Sequence, residues 1–309
     1  MKYKLYKLSF HGAVHFGKNS LDNGEYTFCA DTLFSALCHE AVKIGEATLE
    51  SFYQQTKDGR ILLSDAFPYM GDTYYLPKPM NHIESEDRHG DSVVKKAYKK
   101  LKYIPVNEID NYLQGKYDVM YARDFSELGF FQMNVVACIR GEDETKPYRI
   151  ESYRFYEKNG LYILVGYQSE DALELVEQLL ENLSYAGIGG KRTSGMGRFT
   201  LFQGKIPNEL EKRLEEKGKK YMTLSVSLPK DDELEEALKG AEYALIRRSG
   251  FVTSSNYAKE QMRKRDLYVL KAGACVNDKY DGDIYDVSDK IGKHAVYRYA
   301  KPIFMEVDA

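Results

Sequence analysis

The groups most able to do chemistry in this chain lie within thirteen positions, Gly187-Ile-Gly-Gly-Lys-Arg-Thr-Ser-Gly-Met-Gly-Arg-Phe199. Gly187, Gly189, Gly190, Gly195 and Gly197 let the backbone turn through positive φ and let a ligand approach bare N–H groups. Lys191, Arg192 and Arg198 add charge suited to phosphate, and Ser194 adds a hydrogen-bonding hydroxyl. A Walker loop needs Gly-Lys followed at once by Ser or Thr, between a strand and a helix. Here Arg192 follows Lys191, and the stretch runs from a helix into a strand. The dinucleotide fingerprint fails at its third glycine, where Arg192 stands. A loop with exposed N–H groups can serve sugar hydroxyls and phosphates, two of the groups through which single-stranded RNA is read, the third being its splayed bases. The plain alternative is a surface turn.

Other residues suggest related or rival chemistry. His11 and His15 flank a first glycine turn that continues through Gly17 to Lys18. A histidine there opens a second possibility, metal-independent RNA cleavage with imidazole as general acid or base. Arg247 and Arg248 precede a Ser-Gly turn and are a second candidate RNA contact. Lys95, Lys96, Lys99, Lys100 and Lys102 form a run with no acid between them, either a polyanion contact or a solvated helix face. His82, Glu84, Glu86, Asp87, His89 and Asp91 could suggest a metal site. The segment has the polarity of a mobile loop, so no metal and no cofactor are expected. No Ser–His–Asp or Cys–His arrangement stands out.

Composition narrows the setting. A length of 309 residues allows two ordinary domains, and 43% hydrophobic content can build a core in each. The net charge of −3 means that any polyanion partner must be held by local patches. Cysteines 29, 38, 138 and 275 contain no C-x-x-C pair, which argues against a disulfide framework or zinc ribbon. No apolar run approaches the roughly 18 residues of a membrane span, and the first residues lack a signal-peptide pattern. The expected location is the cytoplasm, away from any membrane. The 26 tyrosines could stack on bases, but most must pack.

These groups need elements to hold them. Residues 2–10 alternate as a strand, and 11–26 read as a loop. Asp31 or Thr32 caps a helix with Leu33, Phe34, Leu37, Cys38, Ala41 and Val42 on one face. A long insertion, about 45–127, holds short strand-like pieces and the lysine-rich helix. Residues 131–139 form a strand, and 149–156 with 161–167 a hairpin around Asn159-Gly160. Ser169 caps a helix facing inward through Ala172, Leu173, Val176, Leu179, Leu180 and Leu183, and a strand at 198–202 follows the glycine loop. With the insertion set aside, the order is that of a ferredoxin-like βαββαβ domain over 1–204. A charged connector spans 205–220. Residues 221–309 then read as a second, divergent copy: a strand at 222–228, a helix at 231–240, and strands at 243–246, 267–270 and 294–307. The expected class is α+β, two ferredoxin-like domains in tandem.

A glycine loop between the last helix and last strand of such a domain resembles the hallmark of the RAMP superfamily of CRISPR RNA-binding proteins. His15-Phe16-Gly17, followed by Asp31-Thr-Leu-Phe-Ser-Ala-Leu37, is similar to the opening of the type III-A (Csm) effector subunit that holds the guide's 5′ handle. Arg247-Arg248-Ser-Gly250-Phe251, and His294-Ala-Val-Tyr-Arg-Tyr299 with Lys301, resemble its second domain. Ala295 and Ala300 stand where Pro and Gly are expected. The resemblance implies a non-catalytic subunit that grips the constant 5′ tag of the guide (crRNA) at one end of a ribonucleoprotein. It also implies contacts with the large polymerase/cyclase-like subunit and with the neighbouring backbone RAMP subunit. The insertion would lie against the guide–target duplex and so touch target RNA.

Overall fold

The computed structural model describes all residues except 19, 84–91, 123, 139–145, 255 and 309. Strand β1 (Lys2–Phe10) buries both its faces, Leu5 on one side and Tyr6 and Leu8 on the other. Where residues 11–26 read as a loop, the chain makes a ribbon, β2 (Phe16–Lys18) and β3 (Ser20–Glu25). Its residues have little strand preference. The ribbon is held from outside, as the Glu151 carboxylate accepts the Gly24 N–H at 2.7 Å.

Helix α1 (Ala30–Ile44) buries Leu33, Phe34, Leu37 and Ala41 as its periodicity requires, while Val42 faces outward. Neither Asp31 nor Thr32 caps it. The helix starts at Ala30, whose N–H donates to the Asp65 carboxylate at 2.8 Å, leaving the Asp31 side chain for another task. Helix α2 (Glu46–Lys57) follows.

The expected insertion does not begin here. Strands β4 (Ile61–Leu63) and β5 (Phe67–Met70) both pair with β10 (Asn159–Tyr167), and β6 (Thr73–Pro77) continues from β5. They are short and buried almost throughout, so no alternation marks them in the sequence. Helix α3 (Ser92–Lys100), β7 (Tyr103–Pro105) and the short α4 (Ile109–Leu113) complete this region, with β7 extending the sheet beyond β6.

What does leave the sheet is a long antiparallel ribbon, β8 (Gly129–Cys138) with β9 (Lys146–Phe155). The hairpin expected between 149–156 and 161–167 is therefore not formed. β9 pairs with β8, and β10 enters the central sheet between β1 and β5. Lys158, not the Asn-Gly pair, takes the left-handed conformation at this corner (φ 63°). Gly160 is needed for a different reason: a Cβ there would lie 2.4 Å from the Leu8 carbonyl oxygen.

Helix α5 (Glu170–Ala186) is capped by Ser169, whose hydroxyl accepts from the Ala172 N–H at 3.3 Å. It buries all six expected apolar residues. After the glycine loop, β11 (Phe199–Gly204) pairs antiparallel with β1 at the sheet edge. The sheet runs β11-β1-β10-β5-β6-β7, with β4 also on β10.

The connector carries helix α6 (Asn208–Glu215). Beyond it the expected second sheet is divided. Strand β12 (Tyr221–Thr223) is only the beginning of the 222–228 segment, and α7 (Leu234–Leu238) is a short piece of the expected helix. β13 (Leu245–Arg248) pairs with β14 (Leu267–Leu270), and β12 lies between β15 (Cys275–Val276) and β18 (Phe304–Glu306). β16 (Asp283–Asp286) pairs with β17 (Tyr297–Ala300). The 294–307 stretch breaks between β17 and β18 at Pro302, which has no N–H for a ladder. The fold is thus mixed α/β with antiparallel sheets.

The second half does not hang free. Leu210, Met222 and Met305 pack with Leu5, Tyr162 and Leu164 on one face of the central sheet. Val226, Val269 and Tyr299 join Leu8, α1 and α5 on the other. Among the described residues no helix is long and apolar enough to cross a membrane.

Candidate nucleic-acid interface

The glycine loop is an anchored base with an exposed tip. Gly187 (φ 80°) ends α5 by donating its N–H to the Leu183 carbonyl. Ile188 and Gly197 close the base, the Ile188 N–H donating to the Gly197 carbonyl at 3.0 Å. A Cβ on Gly197 would sit 2.0 Å from the Ile188 carbonyl oxygen, and one on Gly189 2.6 Å from the His15 carbonyl oxygen. Gly190 donates its N–H to the same His15 carbonyl at 2.8 Å. Four of the five glycines therefore serve close packing against residues 13–16 or across the loop. Gly195 (φ 83°) alone has open space around it.

The tip is a single 3-10 turn, Arg192–Ser194, entered through Lys191 in the left-handed conformation (φ 57°). Ser194 and Gly195 donate back to the Lys191 and Arg192 carbonyls. Among the described residues the N–H groups of Gly189, Lys191, Arg192 and Thr193 have no partner. Successive N–H groups around a left-handed residue form a concavity suited to an anion.

The histidines take different places. His15 is buried, and its Nδ1–H donates to the Glu151 carbonyl at 2.6 Å. Its ring lies between Gly17 and Gly190, so it serves as the wedge on which the loop sits. His11 is exposed and bonds Thr200 on the other side of the loop. The two do not share a site.

A cleft of about 1810 Å³ brings many of the expected residues together. His15, Lys18, Gly189, Gly190, Arg192, Arg247 and Arg248 all line it. Gly187, Lys191, Ser194, Gly195, Gly197 and Arg198 do not. Lys191 instead reaches Tyr148 on β9, its Nζ 3.0 Å from the phenol oxygen and over the ring. Arg198 lines a separate groove beside α5. Lys18 pairs with Glu25 at 2.6 Å, and Arg247 with Asp266 at 3.7 Å, both in exposed positions where such pairs are weak.

Lys102, the last of the lysine run, also lines the cleft, and sequence reasoning missed four further cations on its wall: Lys78, Lys264, Lys271 and Arg298. Each comes from a separate segment, so no spacing joins them. The carboxylates lining the same space are Glu25, Asp31, Asp65 and Glu242, leaving cations in excess. The glycine loop and the second half meet electrostatically at His39, whose imidazolium is disfavoured by burial and then by Arg192 and Lys264.

Arg248 is not a free cation. Its guanidinium grips the buried Asp31 carboxylate through two bonds of 2.9 and 2.7 Å, and Arg298 adds a third at 2.5 Å. Burial pushes the Asp31 carboxyl up, but Arg248 and then Arg298 outweigh it and hold it below its ordinary value. Asp65 lies beside this pair and, among the described residues, has no ion-pairing cation of its own. Its Oδ1 accepts both the Ala30 N–H and the Val226 N–H, tying α1 to the second half. Burial raises its carboxyl from 3.8 to about 6, against the pull of those two N–H groups.

The folded chain thus binds a proton on Asp65 more tightly than the unfolded chain does. That stabilisation is complete below pH 3.8 and is lost as the pH rises through about 6. Asp65→Asn keeps an oxygen for both N–H groups and carries no charge. It should flatten this part of the pH profile and raise stability near neutral pH by about 1–3 kcal/mol, as read by denaturant unfolding. A variant with the wild-type pH slope would remove Asp65 as the titrating group.

The acidic and histidine-containing run from His82 to Asp91 lies outside the described residues from position 84 onward. Among the described residues no three His, Cys, Asp or Glu side chains are grouped as metal ligands.

Two family models match the chain: the RAMP superfamily over residues 7–200, and the CRISPR Csm4 C-terminal domain over 216–307. The protein named CRISPR system Cms protein Csm4 of Mycobacterium tuberculosis (strain CDC 1551 / Oshkosh) is 38% identical over 308 residues, spanning 99% of this chain and 98% of that one. Its namesake from Streptococcus thermophilus is 34% identical over 315 residues, with both chains covered in full. Among solved structures, the fold is similar to that of a Csm3–Csm4 subcomplex of the type III-A CRISPR-Cas interference complex (TM-score 0.69, 19% identity, 98% of each chain). It is also similar to that of a Csm1–Csm4 cassette in complex with cA4 (TM-score 0.62, 19% identity, 99% of this chain and 98% of the other).

Proposed function

The chain belongs to the Csm4 family of the RAMP superfamily, and from that membership we propose that it holds the 5′ handle of the guide RNA in a type III-A CRISPR Csm complex. The observation that carries the reading is the cationic cleft, where the glycine loop of the first half meets arginines and lysines of the second. Phosphates of a single strand would meet Arg192 and the unpartnered N–H groups at 189 and 191–193. Lys18, Arg247, Lys264 and Lys271 would face the strand from the other walls. Here the subunit has no catalytic step: His15 holds the loop in place, and the complex gains a fixed end for its guide.

In this reading residues 1–204 are a ferredoxin-like RAMP unit, supported by the sheet order β11-β1-β10 followed by β4 and β5. Residues 205–220 connect it to a divergent unit over 221–309. The neighbours would be a Csm1-type large subunit and a Csm3-type backbone RAMP subunit, by analogy with the Csm1–Csm4 and Csm3–Csm4 assemblies of the structural relatives. The 45–127 stretch expected to lie against the guide–target duplex is partly built into the central sheet as β4, β5 and β6. In this reading the β8–β9 ribbon would meet the duplex instead. The ribbon leaves the sheet and exposes Phe131, Met133 and Val135 on one face.

Arg192→Ala tests the cleft. It should weaken guide binding by about 1–3 kcal/mol and lower the dependence of log K on log salt. Wild-type affinity together with a wild-type salt slope would count against the loop as a phosphate site.

A further inference from the structure

Helix α3 carries Lys95, Lys96, Lys99 and Lys100, all exposed, and Lys102 follows two residues beyond its end. No acid occurs from Ser92 to Asn107. The five ammonium groups make no ion pair or hydrogen bond among the described residues. Lys95 with Lys99, and Lys96 with Lys100, are like charges four apart, an arrangement that disfavours the helix by itself. A solvated helix gains nothing from it, whereas a polyanion lying along the face would relieve it.

The helix is also firmly placed. Tyr98, buried beneath the lysines, donates its hydroxyl to the Tyr117 carbonyl. Lys78 Nζ donates to the Tyr98 carbonyl at 2.7 Å, and the Lys78 N–H to the Lys102 carbonyl at 2.9 Å. Lys78 and Lys102 are themselves part of the cleft wall. The positive surface of α3 therefore continues that of the cleft without a break in the chain that builds it.

We propose that α3 is an exit track for single-stranded RNA, on which a strand leaving the cleft lays its phosphates across Lys95, Lys96, Lys99, Lys100 and Lys102. The contact is with the sugar–phosphate backbone and independent of sequence, because lysine ammonium groups are flexible point charges with no base-reading geometry. This rests on the cleft being the RNA site, and it adds length to the footprint.

The test uses the full chain and two labelled oligouridylates, one short enough for the cleft to hold whole and one three times as long. The variant is Lys95→Gln, Lys96→Gln, Lys99→Gln and Lys100→Gln together, which changes only exposed side chains. Expected are an unchanged affinity for the short probe and a loss on the order of tenfold or more for the long one at low salt. The slope of log K against log salt should fall by about 2–3 for the long probe only, near 0.7 for each of four phosphates. Equal losses on both probes, or no loss on either, would overturn the track. A face that docks an acidic protein instead would give the second of these results. Arg192→Ala run beside it separates the two readings. If Arg192→Ala leaves the short probe bound while the lysine variant loses the long one, the glycine loop fails as the phosphate site and the track stands.

Discussion

Asp31→Ala should cost about 3–5 kcal/mol of stability, the scale expected when one partner of a buried ion pair is removed and the others stay. Asp31 is 5% exposed and accepts from Arg248 on β13 and Arg298 on β17, both in the half of the chain opposite to α1. Deleting its carboxylate leaves two guanidinium groups facing one another with Lys264 close by. The Lys264 ammonium is already disfavoured, first by burial and then by Arg298. Guanidinium chloride unfolding measures the loss, and Asp31→Asn should recover part of it by restoring acceptor oxygen without charge. A change under about 1 kcal/mol would mean that the two halves are held together elsewhere. The same geometry recasts Arg248: under the proposed function, any effect of its substitution on RNA binding should come through the Asp31 network rather than through a lost phosphate contact.

Gly197→Ala is expected to be nearly as damaging, at about 2–5 kcal/mol. The position combines a left-handed backbone (φ 79°) with a would-be Cβ 2.0 Å from the Ile188 carbonyl oxygen. The first effect costs about 1–2 kcal/mol, and the second adds overpacking of about 1–3 kcal/mol. Gly195→Ala provides the comparison, because it shares the φ but has open space, so only about 1–2 kcal/mol should be lost. Thermal unfolding of the pair checks both numbers. Equal effects at 195 and 197 would show that steric contact across the loop base carries no weight.

That contrast also marks where sequence reading stops. Glycine density at 187–197 identifies the loop, because positive φ and bare backbone belong to the residue type. It does not separate glycines that admit a neighbour, such as Gly189 against His15, from one that faces open space. Helices α1 and α5 were legible because their apolar faces recur every third or fourth residue and Ser169 caps the second. Strands β4 and β5 were not, since short buried runs carry no alternation, and so they were absorbed into an insertion. Asn159-Gly160 suggested a local hairpin, yet β9 finds its ten rungs on β8, a pairing no nearby signal encodes. Asp31 looked like a helix cap because its partners lie more than two hundred residues away.

The strip from Ala13 to Phe16 has a mechanical consequence. Val14 exchanges backbone hydrogen bonds with Tyr153 of the ribbon, His15 clasps Glu151, and Ala13 and His15 receive the N–H groups of Gly197 and Gly190. Lys191 closes the circuit through Tyr148. The projecting arm and the glycine bend are thus bolted to one yoke. A load on the arm is delivered to the bend, and the distance between the two is set by the protein itself.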